Sequence, residues 1–195
     1  MKQITLAIII FIRFTIADGQ KLFSGFEALQ LEDSSGKLFN TASLLGKTVY
    51  VDFWFTACAP CIEEVPYSKS LQQFFRQDTN VAFLSICIEN KERKPVWKQL
   101  IQDKEMPGIN LFYARNRPQK INLLRTYDIT FPTFVLLNNE MKVIGYDIAR
   151  PSEKKLIYWI ISQGAKGFTA DDSYRQAKEK SAEYKNFLGQ LDQHR

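Results

Sequence analysis

Apolar runs of strand length alternate along this chain with stretches in which apolar residues recur every three or four positions. Val49 to Phe55 is an aromatic-rich, almost continuous apolar run and predicts a buried strand. It breaks at Thr56-Ala57, and Ile62 to Phe75 predicts a helix. Val81 to Ile88 is a second continuous run, so strand, helix and strand together predict a parallel βαβ unit. Glu89 to Lys104 predicts a helix with Pro95 near its first turn and Val96, Trp97, Leu100 and Ile101 on one face. Met106-Pro107-Gly108 stops it. Ile109 to Tyr113 is short and extended, and Gln119 to Tyr127 carries an apolar stripe through Ile121, Leu124 and Tyr127. Ile129 to Leu137 predicts a strand with Pro132 at its start. Asn138-Asn139-Glu140 turns the chain into Met141 to Ile148 as a hairpin, and Pro151-Ser152-Glu153 opens a helix ending near Gln163-Gly164.

The flanks differ from this middle. Phe23 to Leu31 and Lys37 to Phe39 enclose the turn cluster Asp33-Ser34-Ser35-Gly36 and predict a hairpin, followed by a short helical turn that Gly46 ends. Ile4 to Ile16 is too short to span a bilayer but suits a signal-peptide core, with Ala17 and Gly19 as small residues near a cleavage point. Arg13 interrupts that core, and a first strand or an uncleaved anchor is the alternative. The expectation is a signal peptide over 1–19, a periplasmic or otherwise extracytoplasmic destination, and no stable membrane span once the signal is cleaved. After Gly167 the chain becomes charged, and Tyr174, Ala177, Ser181, Tyr184, Leu188 and Leu191 fall on one helical stripe. The organisation read from this is one domain over 20–165 and a C-terminal charged helix over 166–195.

Composition changes little. With 195 residues, 45% of them hydrophobic, the chain can bury a full core. A net charge of +5, from 26 basic and 21 acidic residues, is small and dispersed, so no nucleic-acid surface is indicated. Three cysteines are too few for a disulfide scaffold, and a zinc site would need Cys58, Cys61, Cys87 and His194 together. Cys87, inside an apolar run, reads as a small buried hydrophobe.

The candidate chemistry lies where the central strand ends, at Cys58-Ala59-Pro60-Cys61. Two cysteines three apart at the start of a helix can close a small disulfide, and the first of them faces backbone N–H groups that have no helical partner. Those donors and the helix dipole favour a thiolate, so Cys58 is expected to be the exposed, attacking sulfur and Cys61 the shielded, resolving one.

The stretch around these cysteines, FW-x-x-x-C-x-P-C after a strand, resembles the active site of the thioredoxin superfamily. It is most similar to the TlpA/ResA-like branch of extracytoplasmic thiol-disulfide oxidoreductases. The resemblance implies an α/β thioredoxin fold, a central mixed sheet flanked by helices, with an N-terminal β-hairpin and a C-terminal helical extension. Asp52 stands six positions before Cys58 and Glu64 three after Cys61, where relatives carry acidic residues. Asp52, flanked by apolar residues, is then expected to be buried with a raised pKa and to move a proton to or from Cys61. The matching proline in relatives is cis and faces the cysteines, so Pro132 should line a peptide cleft with Pro60, Thr130 and Phe131. Ala57 departs from the usual Trp before the first cysteine and removes an apolar cover.

The implied function is thiol-disulfide exchange on proteins with cysteine pairs, needing no cofactor beyond Cys58 and Cys61 and fed by an upstream thiol reductant. Ala59-Pro60 lacks the His that favours strong oxidants, so the expected direction is reduction. Two rivals stay open: a redox-inert peptide-binding module on the same fold, and an interaction protein acting through its C-terminal helix.

Overall fold

The computed structural model describes residues 29–115 and 130–193. The expected signal peptide, the start of the first hairpin strand, the stripe through Ile121, Leu124 and Tyr127, and His194 lie outside the described residues. Among those described, the strands are β1 (Gln30–Asp33), β2 (Leu38–Asn40), β3 (Thr48–Trp54), β4 (Val81–Glu89), β5 (Ile109–Ala114), β6 (Thr133–Leu137) and β7 (Val143–Tyr146). They form one sheet in the order β2-β1-β5-β4-β3-β6-β7. β3 pairs in parallel with β4 and antiparallel with β6, so the sheet is mixed and β3 lies inside it. The helices are α1 (Ala59–Glu63), α2 (Val65–Phe74), α3 (Lys94–Asp103), α4 (Lys155–Gly164), α5 (Ala170–Lys178) and α6 (Ala182–Gln193).

The period of two along β3 divides the core. Val49, Val51 and Phe53 point into one apolar cluster with Leu84, Ile86 and Val135, while Tyr50 packs on the other face with Leu71, Phe134, Ile157 and Ile161. Asp52 and Trp54 share the face of Tyr50, and Trp54 enters a third cluster with Trp97, Phe112 and all three cysteines. The acidic residue of the central strand is therefore set between two apolar clusters, on the face that carries the cysteines.

The first hairpin forms as expected. Asp33 Oδ1 accepts from the N–H groups of Ser35 and Lys37, each at 2.9 Å, and Gly36 closes the turn at φ 93°. Four helical elements differ from the expectation. The helix expected over Ile62 to Phe75 begins at Ala59 and breaks at Glu64, because Pro66 has no N–H to give the Ile62 carbonyl and its ring crowds that oxygen. The helices opened by Pro95 and Pro151 each start with a 3₁₀ turn, Lys91–Arg93 and Pro151–Glu153. The single C-terminal helix is two helices, because Lys180 at φ 50° ends α5 and the Ser181 hydroxyl accepts from the Tyr184 N–H at 3.2 Å to start α6.

Those last helices pack on α4. Trp159 Nε1 donates to the Ser173 carbonyl at 3.1 Å, and the Trp159 ring lies 5.3 Å from each of the Tyr184 and Phe187 rings. At the junction of β7 with α5 there is no room for a side chain on Gly145: a Cβ there would sit 2.6 Å from the Ala170 Cβ and 2.7 Å from the Ile148 Cγ2. Gly145→Ala is therefore expected to lower stability by about 1–3 kcal/mol through forced displacement of α5. Chemical denaturation checks this, and an unchanged midpoint would mean that α5 yields freely.

Candidate active site

The polypeptide leaves β3 at Trp54 and reaches the cysteines through a tight turn in which the Cys58 N–H donates to the Phe55 carbonyl at 3.0 Å. Cys58 is the N-cap of α1, in extended conformation, and Pro60 occupies the first turn, where a missing N–H costs no helical bond. The two sulfurs are joined as a disulfide with Cα atoms 5.3 Å apart, and the Cys61 N–H donates to the Cys58 Sγ at 3.2 Å. This donor reaches one sulfur and not the other, an asymmetry that comes from the cap position itself.

Cys58, expected to be the exposed sulfur, belongs to a residue only 3% exposed, against 4% for Cys61. The disulfide packs into the cluster of Trp54, Trp97 and Phe112, and the openness of the site comes instead from its neighbours Ala57, Ala59 and Pro60, all exposed. Cys87 is buried in β4 and unpaired, and burial, followed by the nearby Glu89 charge, pushes its thiol far up. The peptide bond between Phe131 and Pro132 is cis. Phe131 packs against the cluster that holds both cysteines and meets the Phe55 ring at 5.3 Å, with Pro132 buried beside it and Thr130 exposed.

Asp52 Oδ1 is shut off from solvent and has no hydrogen-bond partner among the described residues. Burial, and then the charge of Glu64, push its carboxyl up to about 7. A cavity of about 20 Å³ bounded by Tyr50, Asp52, Ser68, Gln72, Ser85 and Pro107 lies beside it, room for about one water molecule. Glu64, by contrast, is well satisfied: at the break between α1 and α2, its two carboxylate oxygens accept from the N–H and the hydroxyl of Ser152 at 2.8 and 2.7 Å. So the fold brings Asp52, Cys58, Cys61, Glu64, Phe131 and Pro132 to one end of β3.

A sequence model of the Redoxin family matches residues 17–156, most of the chain and every residue of this site. The chain belongs to the Redoxin family. Among relatives, thiol-disulfide oxidoreductase ResA of Bacillus subtilis (strain 168) is 29% identical over 121 residues, 58% of this chain and 60% of that protein. ResA of Bacillus thuringiensis (strain Al Hakam) is 28% identical over 143 residues, 72% of this chain and 78% of that one. The match thus spans less than two thirds of the B. subtilis relative. The solution structure of a candidate thiol-disulfide oxidoreductase from Bacteroides vulgatus superposes with a TM-score of 0.57 at 29% identity, over 66% of this chain and 81% of that one. A thioredoxin-family thiol:disulfide interchange protein from Chlorobium tepidum TLS shares the fold, with a TM-score of 0.55 at 20% identity over 70% and 92% of the two chains.

In this Redoxin-family chain two polar anchors flank the cysteine segment, and sequence reading found neither. Before it, the Thr56 hydroxyl donates to Glu89 Oε2 at 2.8 Å and accepts from Arg93 Nε at 2.8 Å, while Arg93 Nε lies 3.4 Å from the same carboxylate. Burial pushes the Glu89 carboxyl up, but bonds from Thr56 and the Asn90 N–H, with Arg93 alongside, outweigh it and leave Glu89 below its ordinary value. After the cysteines, Ser152 holds Glu64. Thr56 and Glu89 are 33 residues apart and Glu64 and Ser152 are 88 apart, so no local pattern announces either pair.

Proposed function

We propose that this protein is a thiol-disulfide oxidoreductase that reduces disulfides in exported proteins through Cys58 and Cys61. The observation that carries the reading is the cap geometry: a backbone N–H aimed at the Cys58 sulfur stabilises a thiolate there once the disulfide is opened. In the reduced protein the Cys58 thiolate attacks a substrate disulfide. One substrate sulfur leaves as a thiolate, and a mixed disulfide forms. The Cys61 thiol gives its proton to the Asp52 carboxylate and attacks the Cys58 sulfur, which breaks the mixed bond, releases the second substrate thiolate and closes Cys58–Cys61. Two electrons have then passed to the substrate, and an upstream thiol reductant must return them.

Asp52 suits the proton step because a carboxyl pushed up to about 7 takes and releases a proton near neutrality. Phe131 borders the cysteine cluster and Pro60 is exposed beside Cys61, so an extended substrate segment is read against Pro60, Thr130, Phe131 and Pro132. The apolar run at Ile4 to Ile16, suited to a signal-peptide core, supports an extracytoplasmic site of action. Among the described residues no helix is long and apolar enough to cross a membrane.

Reduced protein is expected to cleave the interchain disulfides of insulin, seen as turbidity, with turnover that depends on an added thiol reductant. Efficient oxidation of a dithiol peptide, without insulin reduction, would reverse the direction of electron flow. Failure of both would leave the redox-inert peptide-binding module.

A further inference from the structure

Glu64 is 7% exposed, at the break between α1 and α2. A carboxylate so placed needs donors, and both of its oxygens have one from the same distant residue, at 2.8 Å from the Ser152 N–H and 2.7 Å from its hydroxyl. We propose that Ser152 is a positioning residue of the redox site: its two donors hold the Glu64 carboxylate where the chain leaves Cys61 and enters α2. The inference rests on the exchange reading above for its purpose, though not for its test.

The turn that carries Ser152 is itself pinned. Pro151 is buried, and Glu153 Oε1 accepts from the Arg150 N–H at 2.9 Å. The turn ends on Lys154 at φ 25° and ψ −91°, with Nζ 5.8 Å from the centre of the Tyr67 ring of α2. A backbone conformation this sparsely populated persists where its surroundings over-determine it. Here the turn is clamped onto α2 by Ser152 on one side and Lys154 on the other.

What the clamp controls is the position of a charge. The ionisable groups that interact by charge with Glu64, or with its neighbours Asp52 and Tyr50 on β3, include Glu153 in the same turn, Tyr174 on α5 and the Cys87 thiol on β4. All are acids, phenols or a thiol, and none brings a positive charge. Burial and then the Glu64 charge push Asp52 up, and burial followed by Asp52, Glu64, Tyr174 and Glu153 pushes Tyr50 up. Val65, next in the chain to Glu64, borders the cavity beside Asp52, so a carboxylate freed from Ser152 and turned toward solvent would carry its charge away from this group.

The test follows the Asp52 carboxyl by carbon NMR through a pH titration of the oxidised full-length protein, in the parent, Ser152→Ala, Ser152→Thr, Glu64→Gln and the Glu64→Gln/Ser152→Ala double variant. Ser152→Ala removes the hydroxyl donor and keeps the N–H, so one carboxylate oxygen is left unheld and the Asp52 midpoint is expected to fall by roughly half a unit or more. Ser152→Thr should restore it. In the Glu64→Gln background the alanine should add nothing, because the charge it would release is already gone. Ser152→Gly, which also lacks the hydroxyl, gives the same reading if alanine disturbs the turn. An unmoved midpoint in the Ser152 variants while Glu64→Gln shifts it would overturn the positioning role, and so would an additive shift in the double variant. Oxidised protein needs no turnover, so an inactive parent would sink the exchange reading and leave this result standing.

Discussion

Cys61→Ser protein in the reduced state is expected to accumulate mixed disulfides with its protein substrates, all of them through Cys58. Attack by Cys58 needs only a thiolate at the α1 cap, where the N–H of residue 61 still points at the sulfur whichever side chain residue 61 carries. Resolution needs the second sulfur, and serine cannot supply it. Cys58→Ser should trap nothing and lose turnover by more than about 10³-fold, as the loss of a nucleophile does elsewhere. Cys87→Ser should turn over like the parent, since that thiol is buried in β4 and held neutral by its surroundings. Non-reducing gels with mass spectrometry of the trapped species separate these outcomes, and adducts through residue 61 in the Cys58→Ser variant would reverse the assignment of the two sulfurs.

Asp52→Asn should have two large effects of opposite sign. Exchange at pH 7 should slow on the order of 100-fold as a proton acceptor is lost, and the pH–rate profile should lose its inflection near 7. Stability should rise. The Asp52 carboxyl is pushed from 3.8 to about 7 in the folded protein, so the folded state keeps its proton after the unfolded chain has released it. The parent therefore loses stability as pH climbs through that window, and the full penalty remains above it. Asparagine never ionises, so the variant should gain on the parent by about 2–4 kcal/mol at pH 8 and by little at pH 3. Denaturation curves at the two pH values check this. An equal difference at both would mean that Asp52 is ionised at little cost in the fold.

The sequence was most readable where the signal is short-range. The apolar run of β3, the two cysteines at its end, the Asp33 to Gly36 turn and the acidic positions Asp52 and Glu64 all declare themselves within a few residues. Pro66 also announces the break that frees Glu64 from a continuous helix, but that signal was outweighed by apolar periodicity on either side of it. The split at Lys180 was hidden for a related reason: Ser181 fits the apolar stripe by position while acting as a cap by chemistry. The burial of Cys58 followed from neither motif nor period, because Trp97 and Phe112, which close over the disulfide, come from separate elements. Long-range polar pairs were out of reach altogether. Glu64 is marked by its position after Cys61, but nothing near it in the chain points to Ser152 as its partner, and Thr56 reads as a loop residue with no sign of Glu89 and Arg93.

The reduction potential of Cys58–Cys61 distinguishes a working redox couple from a structural staple. The direct measurement equilibrates the protein across a series of thiol-disulfide buffers, quenches with acid, alkylates and reads the fraction reduced by intact mass. A working couple should pass from oxidised to reduced in one two-electron transition within the buffered range, with Cys87 free throughout. A pair that stays oxidised below about −300 mV, where structural disulfides lie, would make Cys58–Cys61 a staple and not a couple.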